Sequence, residues 1–151
     1  MRYRNAPIVV ILCALFGACV SPSRAGETAD GREPAQRTDT EKAFVLDQMR
    51  LLLASIVEIE EGLGSNDMDL VARAAAARGR KANVTLARPA TLSAKESEAW
   101  KAMFASVRGG FDQIADQATA RAPAAQISKT LADTMRNCVA CHQTYRIVDA
   151  P

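Results

Sequence analysis

Residues 40–63 read TEKAFVLDQMRLLLASIVEIEEGL, and this stretch carries the pattern that decides the fold. Its apolar side chains recur at spacings of 4, 3, 4, 3 and 4: Val45, Met49, Leu52, Ile56, Ile59 and Leu63. This heptad-like period predicts an amphipathic helix that buries one face. Asp39 or Thr40 can cap the start of the helix, and Gly62 and Gly64 are expected to end it.

Two further helices are predicted in the middle of the chain. The first of them runs from about residue 67 to residue 83, and its alanine run at 74–77 permits close approach of a neighbour. The next begins at a capping box formed by Ser93 and Glu96. It repeats the 4, 3, 4, 3, 4 spacing over Trp100, Phe104, Val107, Phe111, Ile114 and Ala118. Gly109 and Gly110 inside it indicate close packing or a slight bend.

The fourth helix is predicted from Pro123 to about Ile147, because proline suits the first turn of a helix. Four helices of this length with short connections predict an all-α fold, an antiparallel up-down four-helix bundle over residues 39–151. The aromatic content of 5% also favours packed helices over a sheet. A bundle alone does not indicate a function.

The last predicted helix contains Cys138-Val139-Ala140-Cys141-His142, a C-x-x-C-H motif. On a helix, residues three apart share a face, so both thiols can form thioethers with the two vinyl groups on one side of a haem. His142, the only histidine of the chain, then lies beneath the ring and can bind the iron axially. The motif predicts one covalently bound haem c near the C-terminus of the last helix.

Other readings of the same motif fit less well. A thioredoxin-like dithiol would normally accompany a βαβ pattern, which is not visible. A structural zinc site needs four ligands, and Cys138, Cys141 and His142 supply three. An ordinary disulfide would close only a short loop and stabilise little. A bundle without haem, whose C-x-x-C is merely oxidised, is kept as a third hypothesis.

The N-terminus is typical of an export signal. Arg2 and Arg4 precede an apolar run too short for a permanent anchor, and Ser23-Arg24-Ala25 suits cleavage before Gly26. This predicts a signal peptide over residues 1–25, a flexible polar leader over 26–38, and a soluble mature chain without a membrane span, periplasmic in a Gram-negative source. One alternative is a lipid anchor at Cys19, after a lipoprotein-like Phe16-Gly17-Ala18; another is a buried N-terminal helix.

The charge balance excludes one class of partner. Without residues 1–25 the 19 basic residues fall to 16 against 17 acidic ones, a net charge of −1. A nearly neutral chain offers no electrostatic case for binding nucleic acid. The sequence also shows no general base, nucleophile or open metal constellation, so an enzyme is not expected.

The C-terminal run Cys138 to Arg146 resembles the class II c-type cytochromes, the cytochrome c′ family. In both, an aromatic and a basic residue, here Tyr145 and Arg146, follow the histidine at three and four places. The resemblance covers about residues 40–148 and implies a four-helix bundle with haem near the C-terminus. Family members are either five-coordinate gas binders or low-spin electron carriers with a methionine from the first helix as sixth ligand. The resemblance also implies that Arg146, near the proximal histidine, modulates gas ligation; the alternative is a solvated helix-end residue.

In an up-down bundle the start of the first helix lies beside the end of the last, which places His142 level with about residues 44–54. Met49 is on the buried seam at that height and is the expected sixth ligand. Met103 is at a plausible height, Met135 is expected to pack on the proximal side, and Met68 belongs to the opposite end. If Leu51 or Leu52 faces the iron instead, the site is five-coordinate.

These features predict an exported electron carrier with His142 and Met49 as axial ligands, and the alternative is a five-coordinate protein that binds nitric oxide or carbon monoxide. The expected partners are redox proteins, with a homodimer left open. A basic cluster is expected at the haem end of the bundle, where it could bind a haem propionate, dock an acidic redox partner or simply face solvent: Arg78, Arg80, Lys81 and Arg88.

Overall fold

The computed structural model describes residues 30–83 and 87–151, and the predicted signal peptide lies outside these ranges. The described chain is mostly helical. In chain order its elements are β1 (Glu33–Arg37), α1 (Asp39–Ser65), α2 (Met68–Ala76), α3 (Arg80–Asn83), a 3-10 turn (Ser93–Lys95), α4 (Glu98–Thr119), α5 (Ala124–Thr144) and β2 (Tyr145–Asp149). None of the helices in the two described ranges combines the length and apolarity that a membrane crossing needs.

The first predicted helix is confirmed as α1, with small differences at both ends. Thr38, rather than Asp39 or Thr40, caps its start through a capping box with Glu41. The Thr38 N–H donates to Glu41 Oε2 at 2.9 Å, and the Glu41 N–H donates to the Thr38 hydroxyl at 3.4 Å. The two glycines do not stop the helix, which ends where Asn66 adopts the left-handed conformation.

The predicted second helix is two helices in the structure. α2 ends at Ala76, and α3 begins at Arg80 after a turn in which the Gly79 N–H donates to the Ala76 carbonyl. Asp112 of α4 accepts the Arg80 N–H at 3.1 Å. A side-chain acceptor from another helix thus satisfies a first-turn donor of α3 and stabilises the break.

The third predicted helix begins later than its capping box indicates. Ser97 is the N-cap of α4, and its hydroxyl accepts the Trp100 N–H at 3.2 Å. Ser93 starts only the 3-10 turn, and Glu96 forms an ion pair with Arg88 instead of capping a helix. The competing ion pair explains why the box does not form.

A pair of short parallel strands accompanies the helices in a chain that is otherwise compatible with the all-α prediction. Glu33 lies opposite Tyr145 and Arg37 lies opposite Asp149, so β1 falls inside the stretch expected to be a flexible leader. β2 also replaces the last turn of the predicted fourth helix. The strand was missed because its two buried side chains are Ala35 and Arg37, which lack the β-branched or aromatic character that marks strands.

The helices enclose one main core. α4 packs against α2 and α5, α1 packs against α2, and α1 and α5 touch at few positions. The predicted seams are confirmed, since their residues supply much of this core: Leu52 and Ile59 from α1, and Val107, Phe111, Ile114 and Ala118 from α4. Among the described residues, the exposed large apolar side chains all lie on α1 or α5: Leu46, Leu51, Leu53, Val57, Met135 and Val139.

Candidate haem-binding site

The C-x-x-C-H motif occupies the last two turns of α5. Cys138 is half-buried and packs against the main core. Cys141, one turn later, is half-buried against a second, smaller cluster. His142 is exposed at the end of the helix. Both cysteine side chains therefore pack against other residues, whereas the imidazole of His142 lies beside them in contact with solvent.

Both thiols are free, with no disulfide between them. Burial raises the pKa of Cys138, and burial together with the neighbouring Cys138 raises the pKa of Cys141. The protonated thiol is therefore the dominant form of both residues at neutral pH. Catalytic and redox cysteines normally have a lowered pKa, and the pKa shifts of both thiols here are in the opposite direction.

The motif lines a cavity of about 30 Å³ between α1, α4 and α5. α5 contributes Asn137, Cys138, Cys141 and His142, α1 contributes Met49 and Leu52, and α4 contributes Met103, Phe104 and Val107. The structure thus brings Met49 into the same cavity as His142 and both cysteines. It brings Met103 there as well, so two thioether side chains line the cavity together with His142.

The chemistry of these side chains fits a haem. Two thiols one turn apart, an adjacent imidazole, thioethers and an apolar wall are the groups that a c-type haem requires. The cavity itself holds little more than one water molecule. Close packing does not maintain large voids, so a macrocycle would have to displace side chains around the cavity, and α1 and α5 touch at only a few positions.

Other predicted site residues lie elsewhere. Arg146 is on β2, where its Nε donates to the Arg32 carbonyl at 3.3 Å, and it does not line the cavity. Met68 is buried at the start of α2, away from the cavity. Met135 is exposed rather than packed. Of the two leucine alternatives, Leu52 lines the cavity and Leu51 is exposed.

The second cluster joins the strand pair to the motif. Trp100 and Tyr145 meet edge to face with centroids 5.0 Å apart, and Ser97 Oγ lies 3.0 Å from the Tyr145 hydroxyl. Cys141 and Met103 pack on this cluster. The Arg37 guanidinium lies 5.1 Å from the centre of the Trp100 ring. These contacts fix the end of α5 against α4.

Part of the cavity lining was not predicted from the sequence. Phe104 and Val107 were placed on the core seam but not at the site, although their height on α4 matched that of Met103. Nothing in the sequence distinguished Asn137, whose amide donates to the Thr134 carbonyl at 3.3 Å.

In the described part of the chain, no three cysteine, histidine or carboxylate side chains are grouped so that they could hold a metal ion. The chain matches no protein-family model, no curated protein and no solved structure. The residues around the cavity are therefore the basis for assigning a function.

Proposed function

We propose that the chain is an exported c-type haem protein that carries electrons. The observation that carries the proposal is the shared cavity of Cys138, Cys141, His142 and Met49. In this proposal the helices form an antiparallel up-down bundle. α2 and α3 together count as one of its four helices, beside α1, α4 and α5. The mature chain would be soluble and periplasmic in a Gram-negative source, and redox proteins would be its partners.

Each residue has a definite task in this proposal. Cys138 and Cys141 would hold the cofactor covalently. Cys138 packs against the main core, and Cys141 packs against the smaller cluster around Trp100 and Tyr145. His142 would bind the iron from the α5 side, and the Met49 thioether would approach from α1. The haem iron, when bound, supplies a one-electron ferric–ferrous couple. The apolar side chains of Leu52, Phe104 and Val107 would exclude water and favour the less charged, reduced state.

The second candidate function is the capture of a small gas at a five-coordinate iron. Leu52 and Phe104 line the same cavity as Met49 and could occupy the distal face in its place. The two functions share the covalent attachment and differ only in the sixth ligand.

Covalent attachment is tested by expressing the chain together with a cytochrome c maturation system. We expect haem to stay on the chain after acid–organic extraction and in a denaturing gel stained for haem. Replacing both Cys138 and Cys141 by Ala should abolish this, whereas the matched Val139→Ala variant, inside the motif but exposed, should retain full loading. Complete extraction of haem from the wild-type chain would refute the proposal and favour the bundle without haem.

A further inference from the structure

A second pocket, of about 400 Å³, lies between α4 and the connection that precedes it. We call it the basic pocket, and it is lined by Arg80, Arg88, Glu96, Lys101, Phe104 and Arg108 among others. Phe104 also lines the cavity at the C-x-x-C-H motif. The basic pocket is therefore a separate space that adjoins the candidate haem site across one aromatic ring.

Arg108 is the unusual residue of the basic pocket. It lies on α4 with only 7% of its surface exposed, over the ring of Phe104 at 5.5 Å. Its Nη1 donates to the Arg78 carbonyl at 3.1 Å, but its buried Nε has no partner in residues 30–83 and 87–151. Burial lowers the pKa of Arg108, the nearby cations Arg78 and Arg88 lower it further, and the Asp112 carboxylate offsets part of this shift. A buried cation is strongly destabilising unless an anion pairs with it.

The carboxylates around the pocket are already engaged by other cations. Glu96 pairs with Arg88, and Glu98 pairs with Lys101 at 2.8 Å. Asp112 lies 3.8 Å from Arg80 and accepts its backbone N–H as well. Within the described residues no carboxylate forms an ion pair with Arg108. The four cations that line the pocket therefore outnumber these three carboxylates by one.

The simplest role for Arg108 is to bind the carbonyls at the turn after α2. Its bonds to Arg78 and, at 3.5 Å, to Gly79 fulfil that role. These two bonds use one guanidinium nitrogen and go to neutral carbonyls, so among the described residues only Asp112, which forms no ion pair with Arg108, offsets the charge of the guanidinium. The buried Nε of Arg88, also without a partner in the described ranges, is a second unused donor in the same pocket.

We propose that the basic pocket binds a carboxylate, with Arg108 and Arg88 as its ligands. A guanidinium fork matches the two oxygens of a carboxylate, and the Phe104 ring offers an apolar wall for the carbon chain behind it. The carboxylate has two sources: a propionate of the haem in the adjoining cavity, or a free small dicarboxylic acid. Only the first source rests on the proposed function.

The test compares Arg108→Gln with wild-type protein as it is purified. Should this variant fail to fold because Nη1 also binds the turn after α2, Arg88→Gln carries the test, since its guanidinium caps no helix. The matched control is Arg121→Gln, which removes a guanidinium paired with Asp69 outside the pocket. Each protein is melted with added succinate and with inorganic phosphate, and its reduction potential is measured against pH.

If a propionate occupies the pocket, succinate leaves the wild-type melting temperature unchanged. Loss of the cation then raises the propionate pKa, so the pH-dependent part of the potential moves to higher pH in Arg108→Gln but not in Arg121→Gln. If a free dicarboxylate is the ligand, succinate raises the wild-type melting temperature. The apparent Kd for succinate is then at least tenfold higher in Arg108→Gln than in the wild type. The apparent Kd of the wild type for phosphate is at least tenfold higher than that for succinate.

The proposal is overturned if succinate has no effect and the potential of the variant follows that of the wild type at every pH. Equal effects of succinate and phosphate on all variants, Arg121→Gln included, would show general charge screening and overturn it too. The succinate measurement needs no haem. Absence of covalent haem would therefore refute the proposed function. In that case a propionate is no longer a possible ligand, and the succinate measurement by itself decides whether the basic pocket binds a carboxylate.

Discussion

At Glu41 a single buried carboxylate joins α1 to the connection that precedes α4. It accepts hydrogen bonds from Lys95 Nζ at 2.7 Å and from the Thr91 hydroxyl at 2.6 Å, besides the backbone N–H of Thr38. These donors, Lys95 first, lower the pKa of Glu41 from 4.5 to about 2. The charged form of one residue therefore helps to hold the start of α1 against this connection.

The lowered pKa of Glu41 has a definite consequence for acid stability. Its stabilising contribution is complete above about pH 4.5 and is lost as the pH falls towards 2. We expect Glu41→Gln to lower the melting temperature at neutral pH and to flatten the loss of stability across this range. Thermal unfolding at a series of pH values measures both effects.

Glu98→Gln is the matched control, since Glu98 forms a surface ion pair with Lys101 and such pairs contribute little. An acid profile of Glu41→Gln that coincides with that of the wild type would contradict the role of Glu41.

Met49 decides between the two proposed functions. A thioether on the iron gives a low-spin centre that binds carbon monoxide slowly, because the gas must displace sulfur. We expect Met49→Ala to give a high-spin protein that binds carbon monoxide readily. Loss of a core side chain costs about 2–5 kcal/mol, and half-burial of Met49 favours the lower end. Absorption spectra of the reduced protein with and without carbon monoxide provide the measurement.

Met103→Ala is the control for Met49, because Met103 lines the same cavity from α4. A spectrum that responds to Met103→Ala alone would transfer the sixth ligand to α4. An unchanged spectrum in both variants would favour the five-coordinate, gas-binding alternative.

At the scale of the elements, α4 and α5 approach closely where Gly110 faces Thr134. A Cβ at Gly110 would lie 2.7 Å from Thr134 Cγ2 and 2.9 Å from its Cβ. Since both branches of Thr134 are in the way, a change of rotamer cannot relieve the overlap. Gly110→Ala should therefore destabilise the fold by about 1–3 kcal/mol through overpacking, as measured by denaturant unfolding.

Gly64→Ala is the matched substitution in a helix, because nothing lies within 4 Å of a Cβ there. It should stabilise the protein by about 0.5–1 kcal/mol, the difference in helix propensity. A similar gain in Gly110→Ala would show that α4 and α5 are not packed tightly at that point.

The elements that could be predicted are those whose residues follow a strong period. The seams of α1 and α4 specified the buried faces of both helices. Gly109 and Gly110 indicated close packing or a slight bend, and the structure shows close packing of Gly110 against α5. The helix boundaries were less predictable because residues distant in the sequence set them. Asp112 accepts a hydrogen bond at the break before α3, and Arg88 forms an ion pair with Glu96, which therefore does not complete a capping box with Ser93. Such contacts join residues far apart in the chain and leave no local pattern.

At the scale of the whole molecule, the sequence placed Met49 near the motif only through the assumed direction of the helices. The cavity lining shows the same juxtaposition. The basic pocket was not predictable in the same way, because the turn after α2, the connection and α4 must be assembled before Arg108 is buried. The strand pair joins the two ends of the described chain, a contact that periodicity along one segment does not encode.

That strand pair leads to a prediction about the N-terminal segment. Deleting residues 26–37 behind the predicted signal removes β1, exposes one face of Tyr145 and removes Arg37 from Trp100. The free energy of unfolding should fall by at least about 1.5–3 kcal/mol, the contribution of one large buried side chain. Thermal unfolding gives the loss, and hydrogen exchange should show faster exchange at residues 145–149. Deleting only residues 26–29 leaves β1 intact and should change neither quantity; if both deletions behave alike, the stretch acts as the flexible leader that its composition suggests.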